Sequence, residues 1–168
     1  MLTTAQLQTL RTAITNETDP AFVVLRTSRS TTEIGQWLNQ PSTLIAWRTA
    51  VSQDEIMQNG FDWVRVDNLS VGAARIWEWL FDNQPNTINP SKANVRAGID
   101  AVWKGTAADL AVRAAVYSHC KRPATRGEKV FATGAGTTND PASLGYEGEL
   151  SEYDIRRACW SDDGEWLV

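Results

Sequence analysis

The stretch Leu69-Ser70-Val71-Gly72-Ala73-Ala74-Arg75-Ile76-Trp77-Glu78-Trp79-Leu80-Phe81-Asp82 decides the fold class. Its apolar residues recur at helical intervals, with Val71 or Gly72, Ile76, Trp79 and Leu80 on one face. Trp77 and Phe81 widen the stripe beyond what a lone surface helix needs. The spacing therefore predicts a helix over 69–82 that is buried on two sides. Asn89-Pro90 follows as an N-cap and first-turn pair. It opens a second helix near 90–103, with Ala93, Val95, Ile99, Val102 and Trp103 on its apolar face. These two helices should pack together through the turn Asn83 to Ile88, with Trp79, Leu80, Ile99 and Val102 in the core.

Outward from this pair the helical grammar repeats. Thr3 with Gln6, Ser30 with Glu33, Ser52 with Glu55, Thr106 with Asp109, and Thr125 with Glu128 all have capping-box spacing. They predict helices near 4–16 and 106–119, short ones after Ser30, Ser52 and Thr125, and a last one after Ser151. Thr18-Asp19-Pro20 reads as a break, and Asn59-Gly60 as a turn. Residues 21–29, 43–49 and 146–150 read as short extended segments. Residues 133–145, TGAGTTNDPASLG, read as a long Gly-rich loop that protrudes or becomes ordered on assembly. The fold class expected is mainly α, a helical domain with that loop and short extended segments. The runner-up is α+β, with strands in 21–28, 44–48 and 146–150.

The chain has 168 residues, the size of one ordinary domain, and 42% of them are apolar. No run is long and apolar enough for a transmembrane helix. The N-terminal sequence lacks the basic start and apolar run of a secretory signal. Cys120 and Cys159 are too few for a disulfide scaffold, so a reducing compartment is the simpler reading. His119 is the single histidine, which removes most zinc chemistry. Eight tryptophans exceed what one small domain easily hides, and this raises the expectation of an interface.

The net charge of -4 is unevenly spread. Residues 92–139 carry eight basic and three acidic side chains, +5; residues 140–168 carry two basic and eight acidic, -6. Opposite patches could dock copies head to tail. Solvated clustering is the plainer reading.

Catalytic constellations are hard to find. Gly134 and Gly136 lack the lysine and following helix of a phosphate loop. His119 and Cys120 are neighbours in sequence, and neighbours on a helix diverge by about 100°, which aims them poorly as a catalytic pair. Asp54-Glu55 fits a first helical turn, and Glu78 a polar helix edge. Arg113, Lys121, Arg122, Arg126 and Lys129 form a basic cluster that suits phosphates or the acidic face of another copy. Nothing calls for a metal or cofactor.

Several stretches resemble a known set. They are IAWRT at 45–49 with Val51 and Asp54-Glu55-Ile56, then ARIWEWL at 74–80 and NPSKANVR at 89–96. Next come Lys121-Arg122, ATR at 124–126, Glu128-Lys129, FATGAGT at 131–137 and YEGEL at 146–150. Together they resemble, over nearly the whole chain, a family of small structural proteins of tailed bacteriophages and prophages. The resemblance implies a non-enzymatic virion protein, a head–tail adaptor (head-completion) protein forming a ring between portal and tail. About twelve copies would follow from matching the usual portal. Its partners would be further copies, the portal protein, and tail or head-completion proteins. Non-specific contact with packaged DNA is conceivable, and no membrane is involved. It would reside in the virion, and in host cytoplasm during assembly. The alternative is a tail terminator or other tail ring protein. Further off is a small enzyme or nucleic-acid binder using residues 113–129. The interface candidates are Arg113, Lys121, Arg122, Arg126, Lys129, Gly134, Gly136, Asp140, Trp160 and Trp166.

Overall fold

A computed structural model describes residues 1–58, 61–82 and 86–168. The expected turn at Asn59-Gly60, and Asn83 to Pro85 of the expected interhelical turn, lie outside the described residues. Helices are α1 (Thr4–Asn16), α2 (Pro20–Thr27), α3 (Thr31–Leu38), α4 (Gln53–Ile56), α5 (Trp63–Asp67), α6 (Val71–Asp82), α7 (Ala93–Val102), α8 (Ala107–His119), α9 (Arg126–Val130) and α10 (Glu152–Cys159). Strands are β1 (Pro41–Trp47), β2 (Val51–Ser52), β3 (Thr87–Ile88), β4 (Lys121–Thr125), β5 (Ala132–Thr133) and β6 (Ser143–Leu144). They form three two-stranded sheets, β1-β4, β2-β3 and β5-β6.

The chain divides into two compact units, Met1–Ala46 with Pro123–Val168, and Trp47–Arg122. In the first, Leu7, Leu10 and Ile14 of α1 pack with Phe22, Ile34, Leu38, Leu150, Ile155 and Ala158. The Thr3 hydroxyl accepts from the Gln6 N–H and closes a full capping box on α1. Asp154 fastens α1 to α10. It is 2% exposed, and it accepts from the Leu2 N–H at 2.9 Å and the Ser151 hydroxyl at 2.7 Å. Burial alone pushes this carboxyl up, but the Leu2 and Ser151 hydrogen bonds outweigh it and hold it below the ordinary value. Glu128, 1% exposed, plays the same part for α9. It accepts from the Thr125 N–H at 2.8 Å and from the Gly148 N–H at 2.9 Å.

In the second unit, α6 and α7 pack together as expected. Trp77, Phe81, Phe61 and Trp103 form an aromatic cluster with ring centroids 5.1 to 6.1 Å apart. Val51 pairs with Ile88 and Ser52 with Thr87, antiparallel. Asp109 closes the capping box of α8 with Thr106 and is ion-paired with Arg65. The Arg65 hydrogen bond, then those of Thr106, lower its carboxyl from 3.8 to about 2. Glu55 falls from 4.5 to about 2, through the Ser52 backbone N–H first and then Arg48, whose Nη1 lies 2.9 Å away.

Four corrections follow. The first concerns the fold class. The protein is mainly helical, but it carries three small sheets in place of a long Gly-rich loop and short extended segments. Residues 132–144 close as a hairpin, Ala132 opposite Leu144 and Thr133 opposite Ser143. That hairpin is bonded to β1, with Ile45 N–H to the Gly136 carbonyl at 2.8 Å and Ala142 N–H to the Ile45 carbonyl at 2.9 Å. Gly136 has φ 68°, and a Cβ there would stand 2.5 Å from Leu44 Cδ1. A left-handed backbone pressed against β1 needs glycine, so the glycines build a tight turn here.

Second, residues 21–28 are not a strand. Asp19 caps and Pro20 starts α2, with Asp19 Oδ1 accepting from the Ala21 N–H at 2.9 Å. The β-branched content of the segment gave way to burial of Phe22, which is 0% exposed. Residues 146–150 are likewise not a strand. Third, the helix expected from residue 90 starts at Ala93. Asn89 Oδ1 accepts from the Ser91 N–H, and Arg96 Nη1 donates to the Pro90 and Ser91 carbonyls at 2.8 Å each, which holds 90–92 as a turn. Fourth, Ile99 and Val102 are core, but Leu80 is only partly buried and Trp79 is 59% exposed. The buried face of α6 runs through Trp77 and Phe81, spaced i and i+4.

Candidate functional site

Within the first unit, α1, α2, α3, β1 and α9 enclose a cleft of about 540 Å³. Its floor is apolar, formed by Ile14, Phe22, Trp37 and Leu38. Its rim is polar, with Ser42, Thr43, Arg126 and Lys129 on one part and Glu17 and Asp19 on another. Each rim residue is placed by local chain logic. The Thr125 hydroxyl accepts from the Glu128 N–H at 3.0 Å, so α9 must begin at Arg126. The Arg126 N–H donates to the Gln40 carbonyl at 2.9 Å, which fixes the base of the side chain. Its guanidinium carbon then sits 3.9 Å from the Trp37 ring centroid, and Trp37 sits 4.5 Å from Phe22. The guanidinium lies over the indole, and the indole packs on the Phe22 ring at a tilt of 50°.

Hydrogen bonding across the rim is unequal. Glu17 Oε1 accepts from the Thr18 and Asp19 N–H groups at 2.8 and 3.0 Å, and Asp19 is the α2 cap. Those carboxylates already serve the backbone. Arg126 Nη1, by contrast, is buried with no hydrogen-bond partner, and neither Arg126 nor Lys129 has a carboxylate partner among the described residues. A buried donor without an acceptor costs about 1–3 kcal/mol, and more if charged. The arrangement is an apolar slot whose rim carries two cations, neither ion-paired with a carboxylate among the described residues, and two carboxylates already bonded to backbone.

The basic cluster read along the chain is divided between the two units. Arg113 lies 3.5 Å from Asp100, and Lys121 Nζ lies over the rings of Trp47 at 5.3 Å and Tyr117 at 5.7 Å. Arg122 is half-buried at the end of that unit. Arg126 and Lys129 belong to the other unit, and Lys129 is exposed. Gly134 and Asp140 are exposed on the hairpin, and Gly136 is buried. Trp160 and Trp166 are half-buried and pack on each other at 5.0 Å.

The nucleophile candidates are closed off. Cys120 and Cys159 are both buried, and burial pushes their thiols up to about 12. The His119 carbonyl accepts from Arg48 Nη1 at 3.1 Å, as a helix end does. Among the described residues no group of three or more histidine, cysteine, aspartate or glutamate side chains could hold a metal ion, and no helix is long and apolar enough to cross a membrane.

One feature escaped the sequence reading. In the second unit α5 and α6 turn large apolar side chains to solvent. Trp63 is 56% exposed, Val64 67%, Val71 79% and Trp79 59%. The tryptophan count was the available signal, but it could not say which of the eight stay outside. Comparison with protein-family models, curated proteins and solved structures gave no match.

Proposed function

We propose that this chain is a non-enzymatic structural subunit of a tailed-phage particle, a head–tail adaptor that forms a ring between portal and tail. The observation that carries the assembly reading is the solvent-facing Trp63, Val64, Val71 and Trp79 of α5 and α6. Indole and aliphatic surface held out in water favours a partner, because covering it releases the cost of hydrating it. The identity of the assembly rests on the phage-protein resemblance of the sequence. Its partners would be the portal protein, further copies of itself, and tail or head-completion proteins.

The unequal charge of the chain fits this reading, since a ring subunit presents two different surfaces to its two neighbours. The deciding experiment is electron cryomicroscopy of intact particles, with this chain identified in the map and its copies counted. A ring between portal and tail tube is the expected result. A ring at the far end of the tube would replace the adaptor with a terminator. Particles lacking the chain altogether would overturn the structural reading.

A further inference from the structure

We infer that the Arg126 cleft is the acceptor site for the acidic turn Ser161–Glu165 of a neighbouring copy of this chain, an inference that rests on the ring reading. Two features on the same unit complement each other. The cleft offers Arg126 and Lys129 at its rim over the Trp37 floor. Neither cation is ion-paired with a carboxylate of its own copy among the described residues. The turn offers Asp162, Asp163 and Glu165, all exposed.

The turn is built as a rigid tip. The Ser161 N–H donates to the Glu165 carbonyl at 2.8 Å, the Gly164 N–H to the Ser161 carbonyl at 3.1 Å, and the Glu165 N–H to the Ser161 hydroxyl at 2.9 Å. The paired rings of Trp160 and Trp166 close its base. A tip ordered in advance loses little conformational entropy when it docks. Among the described residues, Asp162 and Asp163 form no ion pair with Arg126 or Lys129. Pairing between copies brings these cations the carboxylates that one copy alone does not give them.

Charge-assisted bonds from guanidinium to carboxylate are the strong kind, and one face of this guanidinium already lies against an indole. Glu17 and Asp19 on the other part of the rim repel a carboxylate, so the tip is directed to Arg126 and Lys129. A groove on one copy that receives a tip from the next is a heterologous contact, which propagates around a ring.

The test is a cysteine pair. Lys129→Cys with Asp163→Cys, oxidised in the concentrated protein and in particles, is expected to give a ladder of disulfide-linked multimers on a non-reducing gel. Either substitution alone should give no ladder. Charge exchange is the second arm. Lys129→Glu or Asp163→Lys alone should cut incorporation into particles at least tenfold, and the two combined should restore it. Both positions are exposed, so folding is not at stake. A ring in the particle with no ladder and no charge-exchange rescue overturns this contact and leaves the adaptor reading standing. A ladder from the purified protein, with no ring in the particle, upholds the contact and overturns the adaptor. Neither ladder nor ring overturns both.

Discussion

Trp77 and Trp79 stand two residues apart on α6 and should respond oppositely to truncation. Trp77 is 4% exposed and Trp79 59%. Complete burial of a tryptophan removes about 150–250 Å² from water. At about 25 cal/mol per Å², that contributes roughly 4–6 kcal/mol. Trp77 Nε1 is buried without a hydrogen-bond partner, and this offsets about 1–3 kcal/mol. Trp77→Ala should therefore cost about 3 kcal/mol, and Trp79→Ala about 1 kcal/mol or less. With about 2–4 °C lost per kcal/mol in a chain of this size, Trp77→Ala should lower the melting temperature by roughly 6–12 °C. Trp77→Phe removes the orphan N–H while keeping a ring, and should stay within about 1 kcal/mol of the native protein. Thermal and urea unfolding followed by circular dichroism would measure all three. Equal losses for the two alanine variants, or a larger loss at Trp79, would refute the assignment of faces on α6. Assembly should show the reverse order, with Trp79→Ala impairing incorporation into particles.

Acid should weaken the second unit. The folded carboxyls of Asp109 and Glu55 sit at about 2, below 3.8 and 4.5, so their contribution is complete above pH 4.5 and is lost as pH falls towards 2. Urea midpoints taken across that window should fall, and less so in Arg65→Ala; a flat profile in the native protein would contradict this. Gly136→Ala should destabilise by about 1–3 kcal/mol, through a left-handed backbone and contact with Leu44, and calorimetry would register it. The Ala142 amide, bonded to Ile45, should resist hydrogen exchange in the free subunit; rapid exchange would show that the hairpin opens. Both cysteines should ignore a thiol reagent until the protein unfolds, and early labelling would show that one is accessible.

The helices announced by capping residues were legible, because a hydroxyl three residues before an acid or amide is a local device. Thr3, Ser52, Thr106, Thr125 and Ser151 all cap where the spacing put them. What depends on partners far along the chain was not. Residues 133–145 look loose in sequence, and their order comes from Ile45, some ninety residues earlier. Phe22-Val23-Val24 reads as β by composition, and only the core it enters makes it helical. The cleft was half visible. Arg126 and Lys129 stood in the basic cluster, but Trp37 beneath Arg126 is brought there by the fold alone.

The nested order of the two units bears on synthesis at the ribosome. Residues 47–122 are contiguous, whereas the first unit is assembled from both ends of the chain. The middle can complete its own core while α1, α2 and α3 still wait for α10. Until Ile155 and Ala158 emerge, Leu7, Leu10 and Ile14 lack part of their cover. The growing chain thus carries a partly uncovered apolar segment until α10 is made. A chain broken off before residue 150 would keep that segment exposed, and would be marked for chaperones and proteases instead of entering an assembly as a defective part.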